Sequence, residues 1–148
     1  MFVPKRILHP TDFSDCSALA FEIAIDMAKQ NSATLIVLHV VESLGADNAS
    51  MGQARTELEP ETYRKRLMEE IKKIAPPEGS KIPVEHVVAE GDPADQIDRF
   101  AKENKIDLIV MGTHGRTGMA RFLMGSVTEK ALRHTPCPVL VIRTARAD

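Results

Sequence analysis

IDLIVMGTHGRTGMARFLMGSVT, residues 106–128, joins a short apolar run to three spaced glycines and a hydroxyl-rich helix start. Residues 106–111 are too few for a helix and rich in β-formers, which fits a strand buried on both faces. The run ends at Gly112, and the spacing then reads Gly112, two residues, Gly115, nine residues, Gly125, Ser126. Glycine adopts positive φ at little cost and carries no side chain, so such a loop can turn its backbone N–H groups inward around an anion. Ser126 with Glu129 three positions later forms an S-x-x-E capping box. That predicts a helix from Val127 with its positive end facing the loop. Strand, glycine loop and helix N-terminus together make a candidate phosphate site. It is neither the dinucleotide G-x-G-x-x-G nor a P-loop, since no Gly-Lys-Ser/Thr follows.

Outward from this stretch, strand and helix patterns alternate. Residues 5–10 read as a strand that stops at Pro10 and hands over to the turn Thr11-Asp12-Phe13-Ser14. Ser14 or Asp15 caps the helix that follows, whose stripe is Leu19, Ile23 and Met27 beside Ala20, Ala24 and Ala28. Residues 33–41, ATLIVLHVV, form a second apolar run, a strand covered on both faces. Residues 43–57 are small and polar with little periodicity, a loop by composition. Pro60 opens a helix striped by Tyr63, Leu67, Ile71 and Ile74 that ends before Pro76-Pro77, and its charged face reads as solvated surface. Residues 82–89 are β-branched and suit a sheet edge, given Pro83, Glu85 and His86. Asp92-Pro93 then supplies an N-cap and first turn for a helix carrying Ile97, Phe100 and Ala101. The helix from Val127 runs to about His134, and residues 139–143 are the last strand.

The order βαβαβαβαβ predicts a parallel sheet with helices on both faces, joined by right-handed crossovers. Ligands in such sheets sit at the carboxyl ends of strands where the winding reverses. The loops after the first and fourth strands, at Asp12 and Gly112, are therefore the candidate site.

A chain of 148 residues fits one domain spanning 1–148, with a sizeable core. A net charge of −2, no Trp and one Tyr argue against a nucleic-acid surface. Cys16 and Cys137 read as reduced thiols of a cytoplasmic protein. Neither a signal peptide nor a membrane-spanning run is expected.

The G-x2-G-x9-G-[ST] spacing at Gly112, Gly115, Gly125 and Ser126 resembles the ATP-binding branch of the universal stress protein family. PTDFS near the start, LHV at residues 38–40, EGDP at residues 90–93 and the closing TPCPVLVIR extend the likeness nearly end to end. The resemblance implies a three-layer, Rossmann-like α/β sandwich with strand order 3-2-1-4-5 that binds ATP together with Mg²⁺. It also implies a nucleotide-loaded stress sensor or regulator, with an unnamed regulatory protein as partner and a homodimer through Val139–Ile142. On it, Pro10, Thr11 and Asp12 line one wall, Val40 meets adenine through its backbone, and Met111, Gly112, Val127 and Thr128 also belong to the nucleotide site.

Asp12 stays open to two readings, a cap for the next helix or a ligand for nucleotide and Mg²⁺. His114 is placed for its ring or N–H to meet phosphate, with Arg116 and Arg121 adding charge. His9, His39 and His86 match no metal-ligand spacing and read as satisfied core or edge residues. No histidine or lysine is spaced to activate Ser126 or Thr128, so no catalytic residue is expected and at most a slow ATPase. S-G-G-x-D-S and H-x-G-H, which mark related adenine-binding enzymes, are both missing from the chain. A ligand-free interaction module is the third reading, and the intact glycines count against it.

Overall fold

The computed structural model describes residues 1–42, 60–113 and 125–143. Five strands and four helices alternate: β1 (Arg6–Pro10), α1 (Asp15–Asn31), β2 (Thr34–Val41), α2 (Pro60–Lys72), β3 (Val84–Glu90), α3 (Pro93–Glu103), β4 (Leu108–Gly112), α4 (Ser126–His134) and β5 (Val139–Ile142). All strand pairs are parallel and the order is β3-β2-β1-β4-β5. The polar loop at 43–57 lies outside the described residues.

The two-sided burial expected of the apolar runs is present, because alternate residues serve opposite layers. Ile7, Leu35, Val37 and Val110 pack with α1 and Ile71 of α2 on one face. Leu8, Ile36, Leu38, Ile109 and Met111 pack with Ile97 and Ala101 of α3 and Ala131 of α4 on the other. β3 and β5 are the edges, and their residues are half-buried or exposed.

Two of the crossover helices begin at a polar cap. Ser14 caps α1 by accepting from Ser17 N–H, and Asp92 caps α3 by accepting from Asp95 N–H with Pro93 behind it. Ser32 adopts a left-handed conformation (φ 51°) and ends α1. The stripe expected on α1 is rotated. Ala20, Ala24 and Ala28 do face the sheet, but Phe21 and Ile25 bury with them, Ile23 and Met27 are half-buried, and Leu19 is exposed. The three alanines let the helix sit close to the sheet, and their larger neighbours one position on fill the remaining gap.

At the centre of the α1 face lies His9, wholly buried on β1. Its Nδ1 lies 2.9 Å from the Val110 carbonyl and its ring 5.5 Å from Phe21. Burial pushes its pKa down from 6.5 to about 4, against smaller opposing effects of the Val110 bond and the Asp12 charge.

The unfolded chain therefore takes up this proton first as pH falls. Stability attributable to His9 is fully present above pH 6.5, declines towards pH 4 and is flat below it, a loss of about 3 kcal/mol. Urea unfolding across that pH range should show this slope, and His9→Phe should remove it.

Candidate nucleotide site

β1 and β4 are neighbours at the point where the strand order reverses. Their ladder runs only over Ile7↔Leu108 and Leu8↔Ile109, although the strands continue to Pro10 and Gly112. Pro10 has no N–H with which to extend it. A crevice therefore opens between their carboxyl ends, where doubly wound sheets hold ligands.

On one side of the crevice the chain leaves β1 through a tightly bonded turn. Thr11 N–H donates to Leu38 O at 2.8 Å, and Thr11 O is held by His39 Nδ1 at 2.8 Å. Asp12 Oδ1 accepts from Ser14 N–H at 2.9 Å and Ser17 Oγ at 2.7 Å. Asp12 thus closes the turn ahead of α1, while the helix cap itself is Ser14. Between them Phe13 takes φ 64°, a left-handed conformation that a bulky side chain adopts only when its surroundings impose it. Thr11 Oγ1 accepts its N–H at 3.1 Å, and its ring packs 4.6 Å from His39.

Val40 comes from the neighbouring strand. Along β2 the even-numbered residues turn their main-chain groups to β1, as Thr34 N–H to Lys5 O and Thr11 N–H to Leu38 O show. Val40 shares that phase, and β1 ends at Pro10, so its main chain faces the space beyond. The side chains of Val40, Met111 and Val127 belong to one apolar layer, the α3/α4 side.

Opposite the turn, β4 enters the glycine loop. Thr113 N–H donates to Ile142 O at 3.0 Å, Gly125 N–H donates to Thr113 O at 2.6 Å, and Thr128 Oγ1 donates to Gly112 O at 3.0 Å. The two ends of the loop are thereby tied, and Gly112 and Gly125 are brought together. His114, Gly115, Arg116 and Arg121 lie outside the described residues.

Three sequence expectations change here. Ser126 is not the N-cap: Gly125 holds that position with no side chain capping the helix, and Ser126 is already helical. The box fails because Glu129 turns outward to pair with Arg133 at 2.8 Å. Thr128 is buried and its hydroxyl donates to Gly112 O, so it braces the loop from beneath. Gly112 is needed for packing as much as for a turn. A Cβ there would meet Cys16 Sγ at 2.8 Å and the Cys16 backbone carbon at 3.1 Å.

Sequence reading passed over Cys16, Thr113 and Ser17, which hold the site together. Cys16 Sγ donates to Ile142 O at 3.3 Å, and Thr113 is buried. Nothing in the spacing marks these contacts, which cross from one element to another. Of the strand histidines, His39 and His86 are bonded as expected, the latter to Ile74 O at 2.8 Å. For His9 the expectation holds only in part, since Nε2 is buried with no hydrogen-bond partner among the described residues. Those residues contain no group of three or more His, Cys, Asp or Glu placed to hold a metal.

Residues 4–143 match the model of the universal stress protein family. The chain belongs to that family. It is 39% identical over 147 residues to universal stress protein MJ0531 of Methanocaldococcus jannaschii, covering 97% of this chain and 85% of that one. The universal stress protein UspA of Lactobacillus plantarum superposes with TM-score 0.74 at 30% identity, covering 94% of this chain and 97% of its own. A universal stress protein solved in complex with cAMP gives TM-score 0.70 at 27% identity, over 97% of this chain and 99% of that chain. The stress-protein fold, with its 3-2-1-4-5 sheet, is thus shown for this chain. No described helix is long and apolar enough to cross a membrane.

The Gly112–Cys16 contact yields a stability test. Gly112→Ala should cost about 1–3 kcal/mol by overpacking. Combining it with Cys16→Ala, which removes the closest atom, should cost less than the two single losses added together. Urea midpoints of the four proteins complete the cycle, and strict additivity would mean that the contact is slack.

Proposed function

We propose that this protein binds ATP in the crevice at the ends of β1, β2 and β4 and works as a nucleotide-loaded sensor or regulator of a stress response. The observation that carries this reading is the start of α4. Its first-turn N–H groups have no intrahelical partner by geometry, no side chain caps them, and Gly125 ties them beside the end of β4. An uncapped positive helix end of this kind favours a phosphate. Gly112, His114, Gly115, Arg116, Gly125 and Ser126 would surround the phosphates. The apolar layer of Val40, Met111 and Val127, with Pro10 and Thr11, suits a flat base, and the Val40 main chain supplies the hydrogen bonds that distinguish adenine. A relative of the same fold holds an adenine nucleotide, cAMP.

Mg²⁺ fits the site as a phosphate-borne ion. A hard cation prefers carboxylate oxygen and keeps most of its ligands from water and phosphate, so Asp12 suffices as its protein contact. Turnover is slow in this reading, because Asp12 Oδ1 is already committed to Ser14 and Ser17 and no described side chain is set up as a nucleophile. Phosphate release near ten per second, lost on Asp12→Ala, would instead make the protein an ATPase.

The proposal includes a homodimer through β5. Pro138 O accepts from Ile109 N–H of β4 and Ile142 O from Thr113 N–H just beyond it, so the alternating phase leaves the main-chain groups of Val139 and Val141 on the open edge. A half-buried apolar edge invites pairing with a second copy. Val141→Pro removes an outward-facing N–H and should shift the light-scattering mass from about two chains to one.

Native mass spectrometry of the purified protein should detect adenine nucleotide. Mg-ATP at about a hundred times its dissociation constant should stabilise the fold by roughly 2.7 kcal/mol, more than GTP does. Gly125→Val, placed at a backbone conformation open to any residue (φ −72°), should abolish the ATP shift while leaving circular dichroism unchanged. An unchanged melting temperature with saturating Mg-ATP overturns the nucleotide reading.

A further inference from the structure

A second cavity of about 650 Å³ opens on the opposite face of the sheet, between α1 and the segment joining α2 to β3. It meets the candidate nucleotide site along the back of the turn, at Thr11, Phe13, Ser14 and Ser17, and Phe21, Ile25 and Ile74 give it apolar walls. It lies between α1, which packs chiefly over β1 and β4, and the segment that follows α2, which packs over β3. His9 stands at its floor.

The chemistry of that floor is fixed by one bond. A carbonyl oxygen only accepts, so Nδ1, 2.9 Å from Val110 O, carries the proton. The neutral ring then presents Nε2 as a bare lone pair. Nε2 is the ring nitrogen that Val110 does not hold, on a side chain that lines the cavity. It is buried and has no hydrogen-bond partner among the described residues. A buried acceptor left unsatisfied is unfavourable, and a donor arriving there relieves it.

We infer that this cavity is a binding site for a small, uncharged, largely apolar molecule carrying one hydroxyl or N–H donor, which bonds to His9 Nε2. Only a donor complements a lone pair, and the walls reward a hydrophobic body. The rim carries both signs, Glu22 and Asp26 against Lys29 and Lys73, so it selects for no net charge. His9 is wholly buried, so binding requires the Phe21 ring, whose centroid lies 5.5 Å from that of the imidazole, to turn aside. The site does not depend on the nucleotide reading.

Phenol and anisole make the test, since they share a ring and only phenol donates. In the intact chain, phenol should raise the melting temperature and move the nitrogen-15 resonance of His9 Nε2 upfield. Anisole should leave that resonance in place and bind about tenfold more weakly or worse. His9→Phe should bind the two equally. Ala18→Trp, at an exposed cavity-lining position, should block phenol without touching the core. The inference falls if phenol leaves the Nε2 resonance unmoved, if anisole binds the wild type as tightly, or if Ala18→Trp binds phenol undiminished.

Discussion

Parallel strands must be covered on both faces, and the rest of the molecule follows from how β1 meets that demand. Its alternate residues feed two separate cores, and its neighbours β2 and β4 bury it from both sides. A strand so enclosed can release the chain only at its carboxyl end. There Pro10 ends the β1 ladder and Thr11 to Ser14 turn the chain through bonds to β2 and α1. The crevice is therefore a by-product of how the central strand stops.

The same constraint divides the molecule into two chemically different sides. On the α3/α4 side, uncapped helix N–H groups and outward main-chain groups border the crevice, a setting for charge. On the α1/α2 side, a neutral imidazole sits among phenylalanine and isoleucine, a setting for an apolar guest. Low dielectric around His9 keeps it uncharged through the physiological range. One sheet thus presents an electrostatic surface and a hydrophobic one within a single domain.

Much of this was legible in the sequence because it depends on local pattern. Continuous apolar runs flanked by Pro, Asp and Gly located β1, β2 and β4 to within two residues, and Asp92-Pro93 marked the start of α3. The strand order came from family likeness, since no local signal encodes which strands become neighbours. What stayed hidden was tertiary. Ser126 and Glu129 satisfy a capping pattern, yet the tie from Gly125 to Thr113 winds the helix one residue earlier and moves Glu129 to solvent. On α1, period alone could not choose between a stripe through Leu19 and one through Phe21, because the sheet it faces sets the rotation. Gly112 was noticed for its place in a spacing, while its tightest requirement is the Cys16 side chain far away in the chain.

Ile142 O accepts from both Thr113 N–H and Cys16 Sγ, the latter across 126 residues of sequence. Contacts of such separation form late, because closing a long loop costs entropy before any contact is made. During synthesis, α1, β4 and the loop entry all leave the ribosome before β5 can dock. Until Ile142 has emerged, a nascent chain therefore leaves Thr113 N–H and the Cys16 thiol without this shared acceptor, and the start of α1 and the end of β4 are joined through it only in the last step of folding.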